Sequence, residues 1–348
     1  MRSALLFSLA LTAASSTAQA SPWTLPRGDL ALTAWTSVQT ARQEFFESGG
    51  ARNFPLNGRY NGTTLGLTLR AGITDRLELE FGLPVRTVSY QSDPVVLNPQ
   101  PAGSTESPID YYQRNVINLS RTASGIGDLT LAGRYRLMLQ PLAMAVELRF
   151  KIPSGYPGPS GTFGDQPSTA AAFAANTARY ASPENVRDDV TLGDGQVDIT
   201  PSILLGYAFP TRTFVRLDAG YNVRLGAAGH QVVGALRVGQ FIGDVVLLYA
   251  WAQAAVNVTQ GQVIGISVAA QNPDLPAAQY VNDNNLLLRE LRLERSNLDV
   301  GGGVIVRFTP NVELNLGYSR TLWGQNTALV DQVFVSLGAR TTLPGVSR

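Results

Sequence analysis

Residues 76–86 read RLELEFGLPVR. Leu77, Leu79, Phe81, Leu83 and Val85 alternate with a second set that includes Arg76, Glu78, Glu80 and Arg86. Successive side chains of a strand point to opposite faces, so one face of this strand is apolar and the other charged. The pattern recurs at 143–153, where Met144, Val146, Leu148, Phe150 and Ile152 oppose Glu147, Arg149 and Lys151. It recurs at 215–225, where Val215, Leu217, Tyr221 and Val223 oppose Arg216, Asp218, Asn222 and Arg224. Nine further segments are predicted as strands: 29–40, 63–71, 128–137, 196–209, 231–239, 244–256, 297–308, 312–323 and 329–340. Each is close to the roughly 9–11 residues with which a strand crosses a bilayer.

A soluble β-sandwich also alternates, and the connections separate the two readings. The links 72–75, 138–142, 210–213, 240–243 and 309–311 are all tight. The links 41–59, 87–126, 154–195 and 257–296 are long, and 226–230 and 324–328 are short links on that same side. Every long link therefore falls at one end. Outer-membrane barrels have this asymmetry, with short periplasmic turns and longer external loops. Greek-key sandwiches do not sort their loops in this way. In hydrocarbon every backbone N–H and C=O needs a partner, so such a sheet must close on itself. The expected fold is all-β: a transmembrane antiparallel up-and-down barrel of about twelve strands, with both termini in the periplasm.

The N-terminus reads as an address. Arg2 precedes an apolar stretch at 4–14, and Ala18-Gln19-Ala20 supplies a small-residue cleavage site. Residues 1–20 are expected to be a cleaved signal peptide and 21–348 a single barrel domain. No later segment reaches the roughly 18 apolar residues of a membrane helix; the nearest, 245–256, contains Gln253.

Composition removes other classes. The chain has 348 residues, a net charge of +1, no cysteine and one histidine, His230. That excludes disulfide scaffolds, thiol enzymes and multi-histidine metal centres. A serine hydrolase needs a histidine beside its nucleophile, and His230 sits in a five-residue link with serine distant in sequence. Gly125-Ile126-Gly127 precedes a strand, not the helix a nucleotide loop requires. The near-neutral charge supplies no field for nucleic acid. The expectation is a non-enzyme without cofactor or metal, whose partners are outer-membrane lipid and a small solute; its oligomeric state is left open.

The charged face of each strand would line the lumen. That places Arg76, Glu78, Glu80, Asp128, Arg134, Arg136, Glu147, Arg149, Lys151, Asp198, Arg216, Asp218, Arg224, Arg307 and Glu313 inside. Arg70, Arg86, Arg237, Asp299 and Arg340 join them. The tight turns set Arg307 opposite Glu313, Arg134 near Glu147 and Asp198 near Arg224. Two roles are open: paired charges bracing the wall, or a lining that selects solutes by charge. Tyr135, Tyr207, Phe209 and Phe308 are expected in one interfacial girdle, with Tyr249, Trp251, Tyr318 and Trp323 in the other. Pro84, Pro153, Pro201 and Gly301–Gly303 interrupt strands and mark bulges, curvature or a lateral gap.

The loops add two candidates. STAAAFAANTARY at 168–180 is Ala-rich and opens on a capping Ser, so a short helix is predicted. Phe173, Thr177 and Tyr180 would share one face of it and form a loop constriction at the mouth, or the helix would lie on the outer rim. LLLRELRLER at 286–295 fits a strand extended above the membrane or an amphipathic segment.

Four stretches carry a family resemblance: SGIGDLTLAGRYRL (124–137), ELRFKIPSG (147–155), LGDGQVDITPSILLGYAF (192–209) and VRLDAGYNVRLG (215–226). Their Gly127-Asp128-Leu129 opening, the strand end from Lys151 to Gly155, Gly195 with Asp198, and Gly220-Tyr221 resemble the MetA-pathway of phenol degradation family. The resemblance implies an outer-membrane barrel that passes small hydrophobic or aromatic compounds. It is distantly similar to long-chain fatty acid transporters, which carry an N-terminal plug. Only about eight residues, 21–28, precede the first predicted strand, too few for a comparable plug. Phe334 is followed by fourteen residues, unlike barrels that end on an aromatic residue. The expected function is passive passage of such compounds through the outer membrane. The alternative is a non-transporting barrel whose lumen is filled by its own charges.

Overall fold

A computed structural model describes residues 21–45, 50–159, 165–182 and 190–343. The expected signal peptide lies outside the described residues. Twelve long strands form the wall: β1 (Asp29–Ala41), β2 (Arg59–Gly72), β3 (Leu77–Gln91), β4 (Leu129–Met138), β5 (Ala143–Ile152), β6 (Val197–Ala208), β7 (Thr213–Leu225), β8 (Gln231–Ile242), β9 (Val246–Asn257), β10 (Ser296–Thr309), β11 (Val312–Gln325) and β12 (Asp331–Thr342). Each pairs antiparallel with the next, and β12 returns to β1 in a register from Asp29↔Thr342 to Thr40↔Asp331. The sheet is closed.

Burial is inverted relative to a soluble barrel. On β2, Leu65, Leu67 and Leu69 are 58%, 49% and 42% exposed, while Thr64 and Thr68 on the alternate face are buried. The apolar face points outward, as a lipid-facing wall requires. Tyr135, Tyr207, Phe209 and Phe308 stand on the outside toward the short turns, and Tyr318 and Trp323 on the outside toward the long loops.

Two aromatic expectations need correcting. Tyr249 is buried inside the barrel and lies near the short-turn end of β9, not in an outer girdle. Trp251 shares its face, two residues on. Their rings lie across β10, where Tyr249 pairs with Gly303 and Trp251 with Gly301. A Cβ at Gly303 would fall 2.7 Å from the Tyr249 hydroxyl, and one at Gly301 2.7 Å from Trp251 Cε2. Gly301 and Gly303 therefore make room for rings, which their place in a strand alone does not reveal.

Pro84 marks a bulge. β3 pairs with β4 up to Gly82↔Thr130, and its outer half pairs with a separate segment, Arg121–Ile126, one residue out of register. The Gly127 N–H donates to the Pro84 carbonyl at 3.0 Å. The β4–β5 ladder stops at Ile152↔Leu129, one residue before Pro153. The Ser154 hydroxyl donates to the Ile126 carbonyl at 2.6 Å across the seam beyond it.

Long connections follow β1, β3, β5 and β9. Leu56, Val95, Ile117, Phe173, Val268 and Tyr280, drawn from all four, pack into one apolar cluster. Loops rooted on opposite sides of the barrel thus meet in a cap. Leu286–Arg292 forms a hairpin with Val263–Ala270, which settles the open reading of 286–295 as a strand. The Ala-rich segment forms two short helices, Ala170–Ala175 and Thr177–Tyr180. Their N-cap is Thr169, whose hydroxyl accepts from Ala172 N–H, rather than Ser168.

At the other end, residues 21–28 do more than their number suggests. The Leu25 N–H donates to Glu78 at 2.7 Å on β3. The Trp23 ring meets Phe214 of β7 edge-on at 6.2 Å. Pro22 and Trp23 lie against Gly206 on β6. Eight extended residues reach roughly 25 Å, enough to cross the lumen as a strap.

Candidate functional site

Most of the paired charges gather along β2 to β7, and Arg340 of β12 pairs with buried Asp29 of β1. Arg134 on β4 is the hub. Its guanidinium meets Glu78 at 2.5 Å and also pairs with Glu80 and Glu147. Neighbouring strands force this meeting, because Arg134 stands opposite Glu78 on one side and Glu147 on the other. Arg70 binds Glu78 at 2.8 Å, and Arg149 binds Glu80 and Glu147, each at 3.0 Å. These are six charged side chains in one continuous network. A buried charge is tolerated when it is paired in this way.

A second cluster fastens a loop. Lys151 Nζ lies 2.5 Å from Asp194, 2.9 Å from Asp198 and 3.8 Å from Asp128. Arg224 pairs with Asp194 and, at 3.3 Å, with Asp198. Tyr156 donates its hydroxyl to Asp128. Burial pushes the Asp194 carboxyl up, but Lys151 and Arg224 outweigh it and hold it below the ordinary carboxylate value. Burial and then Asp128 push the Tyr156 hydroxyl well above its ordinary value. Asp194 and Tyr156 are loop residues that strand periodicity does not mark, so sequence reading missed them.

Other expected lining residues lie nearer the short-turn rim. Arg307 stands opposite Glu313 in register, 3.7 Å apart, with both side chains exposed. The Arg136 guanidinium donates to the Asp75 carbonyl. Arg76 lies exposed in the turn before β3, where its carbonyl accepts the Arg136 N–H at 2.8 Å. The His230 ring accepts the Arg224 N–H at its Nδ1, 3.0 Å away. Phe173 and Tyr180 stack at 6.0 Å inside the cap, and Thr177 is buried beside them.

Beside the Arg134 network, against β5 to β9, the lumen keeps a cavity of about 210 Å³. Arg149 and Glu147 border it from β5, and Arg216 and Asp218, paired at 2.6 Å, from β7. Ser202 and Gln253 also face it. Neither was expected, since small neutral polar residues on an inward face carry no signal in sequence.

A closed antiparallel barrel of twelve strands, apolar outside and charged within, defines the class of outer-membrane β-barrels. No known family and no curated protein matches the sequence. Among solved structures, the chain is similar to an outer membrane channel from Pseudomonas putida F1, with a TM-score of 0.57 and 12% identity over 92% of this chain and 98% of that one. It is more loosely similar to the CymD monoaromatic hydrocarbon channel, with a TM-score of 0.39 and 11% identity over 92% and 89% of the two chains. The NanC porin gives a TM-score of 0.41 and 6% identity over 88% and 98%.

Proposed function

We propose that this protein is a passive channel of a Gram-negative outer membrane for small hydrophobic or aromatic compounds, with both termini in the periplasm. The cavity held open in the lumen beside the charge network carries this reading. A solute enters past the loop cap, where Phe173, Thr177 and Tyr180 form the constriction. It crosses beside the Arg134 network and leaves past Trp23, or sideways at the seam beyond Ile152. The sequence resemblance supports the solute class.

The network around Arg134 favours a second reading, a non-transporting surface barrel braced by its own charges. Single-channel recording on the refolded mature chain separates the two. Discrete conductance steps that aromatic solutes interrupt support the channel. A folded barrel that never conducts, with or without solute, supports the brace.

A further inference from the structure

At the loop end of β1 and β2 the outer wall changes character. Ala41 and Tyr60 form the last pair of that ladder, and both are buried. The next residue on each strand, Arg42 and Arg59, is exposed. Arg59 shares a face with the outward Leu65, Leu67 and Leu69, and Arg42 continues the outward series of Val38 and Thr40. The Phe54 N–H donates to the Arg42 carbonyl at 3.0 Å and fixes that residue at the rim. Among the described residues, neither arginine has a carboxylate partner or a side-chain hydrogen bond. Like charges on neighbouring strands repel, so an anion from outside the chain is what this pair fits.

Depth is the second observation. Ala71 lies on the same face as Arg59, at the other end of β2. A strand rises about 3.4 Å per residue and a barrel strand tilts by about 40°, so the wall climbs about 30 Å from Ala71 to Arg59. The apolar band of an outer-membrane barrel is about 25 Å tall. Arg59 therefore stands just above the hydrocarbon, at the depth of lipid headgroups. Below the two arginines, Thr40 and Asn61 face each other in register, both exposed. The patch is local: at the loop ends of β5, β7, β8 and β9 the outward residues are Ile152, Leu225, Val232 and Val256, all apolar.

Two carboxylates border the patch, and each is engaged. Asp331 on β12 pairs with Arg320 at 3.5 Å and accepts the Tyr318 hydroxyl. Asp93 accepts the Asn57 amide at 2.5 Å. Orientation and chemistry then select the occupant. The long loops of an outer-membrane barrel are external, which puts the patch in the outer leaflet. That leaflet is built of phosphorylated glycolipid. A phosphate takes paired N–H bonds from a guanidinium, and sugar hydroxyls complement Thr40 and Asn61, which can donate and accept.

We infer that Arg42 and Arg59 hold the phosphates of an outer-leaflet glycolipid, lipopolysaccharide, against the β1–β2 wall. The inference rests on the external position of the long loops in the reading above, and not on solute passage. A barrel that binds the glycolipid yet never conducts refutes the channel alone. The test is fluorescence anisotropy of dye-labelled rough lipopolysaccharide titrated with the refolded mature chain in detergent micelles. The native chain is compared with a variant carrying Arg42→Gln and Arg59→Gln, so that partition into detergent cancels. The variant is expected to bind at least tenfold more weakly. Lipopolysaccharide stripped of its phosphates is expected to bind both proteins as weakly as the variant binds the intact lipid. Equal binding of the intact lipid to both proteins overturns the inference, as does undiminished binding of the stripped lipid to the native chain. Competition identifies the source. Inorganic phosphate or phosphatidylglycerol that displaces the lipid at equal phosphate concentration overturns the glycolipid assignment in favour of a general anion site. If the double variant fails to refold, Arg59→Gln alone carries the same comparison.

Discussion

Arg134 Nη1 and a Glu78 carboxylate oxygen lie 2.5 Å apart where both side chains are at most 1% exposed. Glu80 and Glu147 pair with the same guanidinium. One cation thus holds three carboxylates inside a membrane wall, and the mutual repulsion of those carboxylates makes the wall depend on it.

Replacing that hub should be costly. Arg134→Ala leaves Glu78, Glu80 and Glu147 without their shared partner, and breaking a buried pair costs about 3–5 kcal/mol. The expected result is a lower midpoint in urea unfolding of the refolded barrel. A midpoint like that of the native chain would show that Arg70 and Arg149 suffice.

Trp35 of β1 stands opposite Gly66 of β2. A Cβ at Gly66 would fall 2.2 Å from Trp35 Cε2. Gly66→Ala should destabilise the barrel by about 1–3 kcal/mol through overpacking. Adding Trp35→Leu should recover part of that loss, because the two changes meet at one contact. Strictly additive effects in a double-mutant cycle would sink this account.

The strap at 21–28 runs across the short-turn end, where Trp23 meets Phe214 edge-on. Trp23→Ala should raise single-channel conductance and speed proteolysis of the strap. Unchanged conductance would place the narrowest point elsewhere, at the Arg134 network or the cap.

Glu44 lies in the short strand Gln43–Phe45 on the loop side. Burial pushes its carboxyl up to about 7, although Arg52 at 2.8 Å opposes the shift. A carboxyl raised in the folded state binds protons more tightly there than in the unfolded chain. Its contribution to docking this strand is full below about pH 4.5 and falls as pH rises to about 7, by on the order of 3 kcal/mol. Amide exchange at 43–45, corrected for intrinsic rates, should show less protection at pH 8 than at pH 5. The opposite trend would mean that the Arg52 pair dominates.

Lys151 ties Asp194 to the wall at 2.5 Å. Lys151→Met should loosen residues 190–196 by about 1.5–3 kcal/mol, the worth of a hydrogen bond to a charged group. Hydrogen exchange there should accelerate while the strands stay protected.

Strand alternation at 76–86, 143–153 and 215–225, with long links at one end only, was enough to determine a closed twelve-stranded barrel. Period two and loop length are local properties, legible in the chain itself. The pairs Arg134–Glu147, Asp198–Arg224 and Arg307–Glu313 were legible too, because a tight turn fixes register between neighbours. The inward turn of Tyr249 and Trp251 was not. β9 reads VLLYAWAQAAVN, nearly apolar throughout, so neither face declares itself. Glycines on another strand decide where those rings go. Asp194 reaches Lys151 through the turn of its loop, while Leu25 reaches Glu78 and Ser202 shares a cavity with Gln253 only once the sheet has curved. Such meetings depend on curvature and on loops folding back across many strands, and no periodicity along a chain encodes a distance across a lumen.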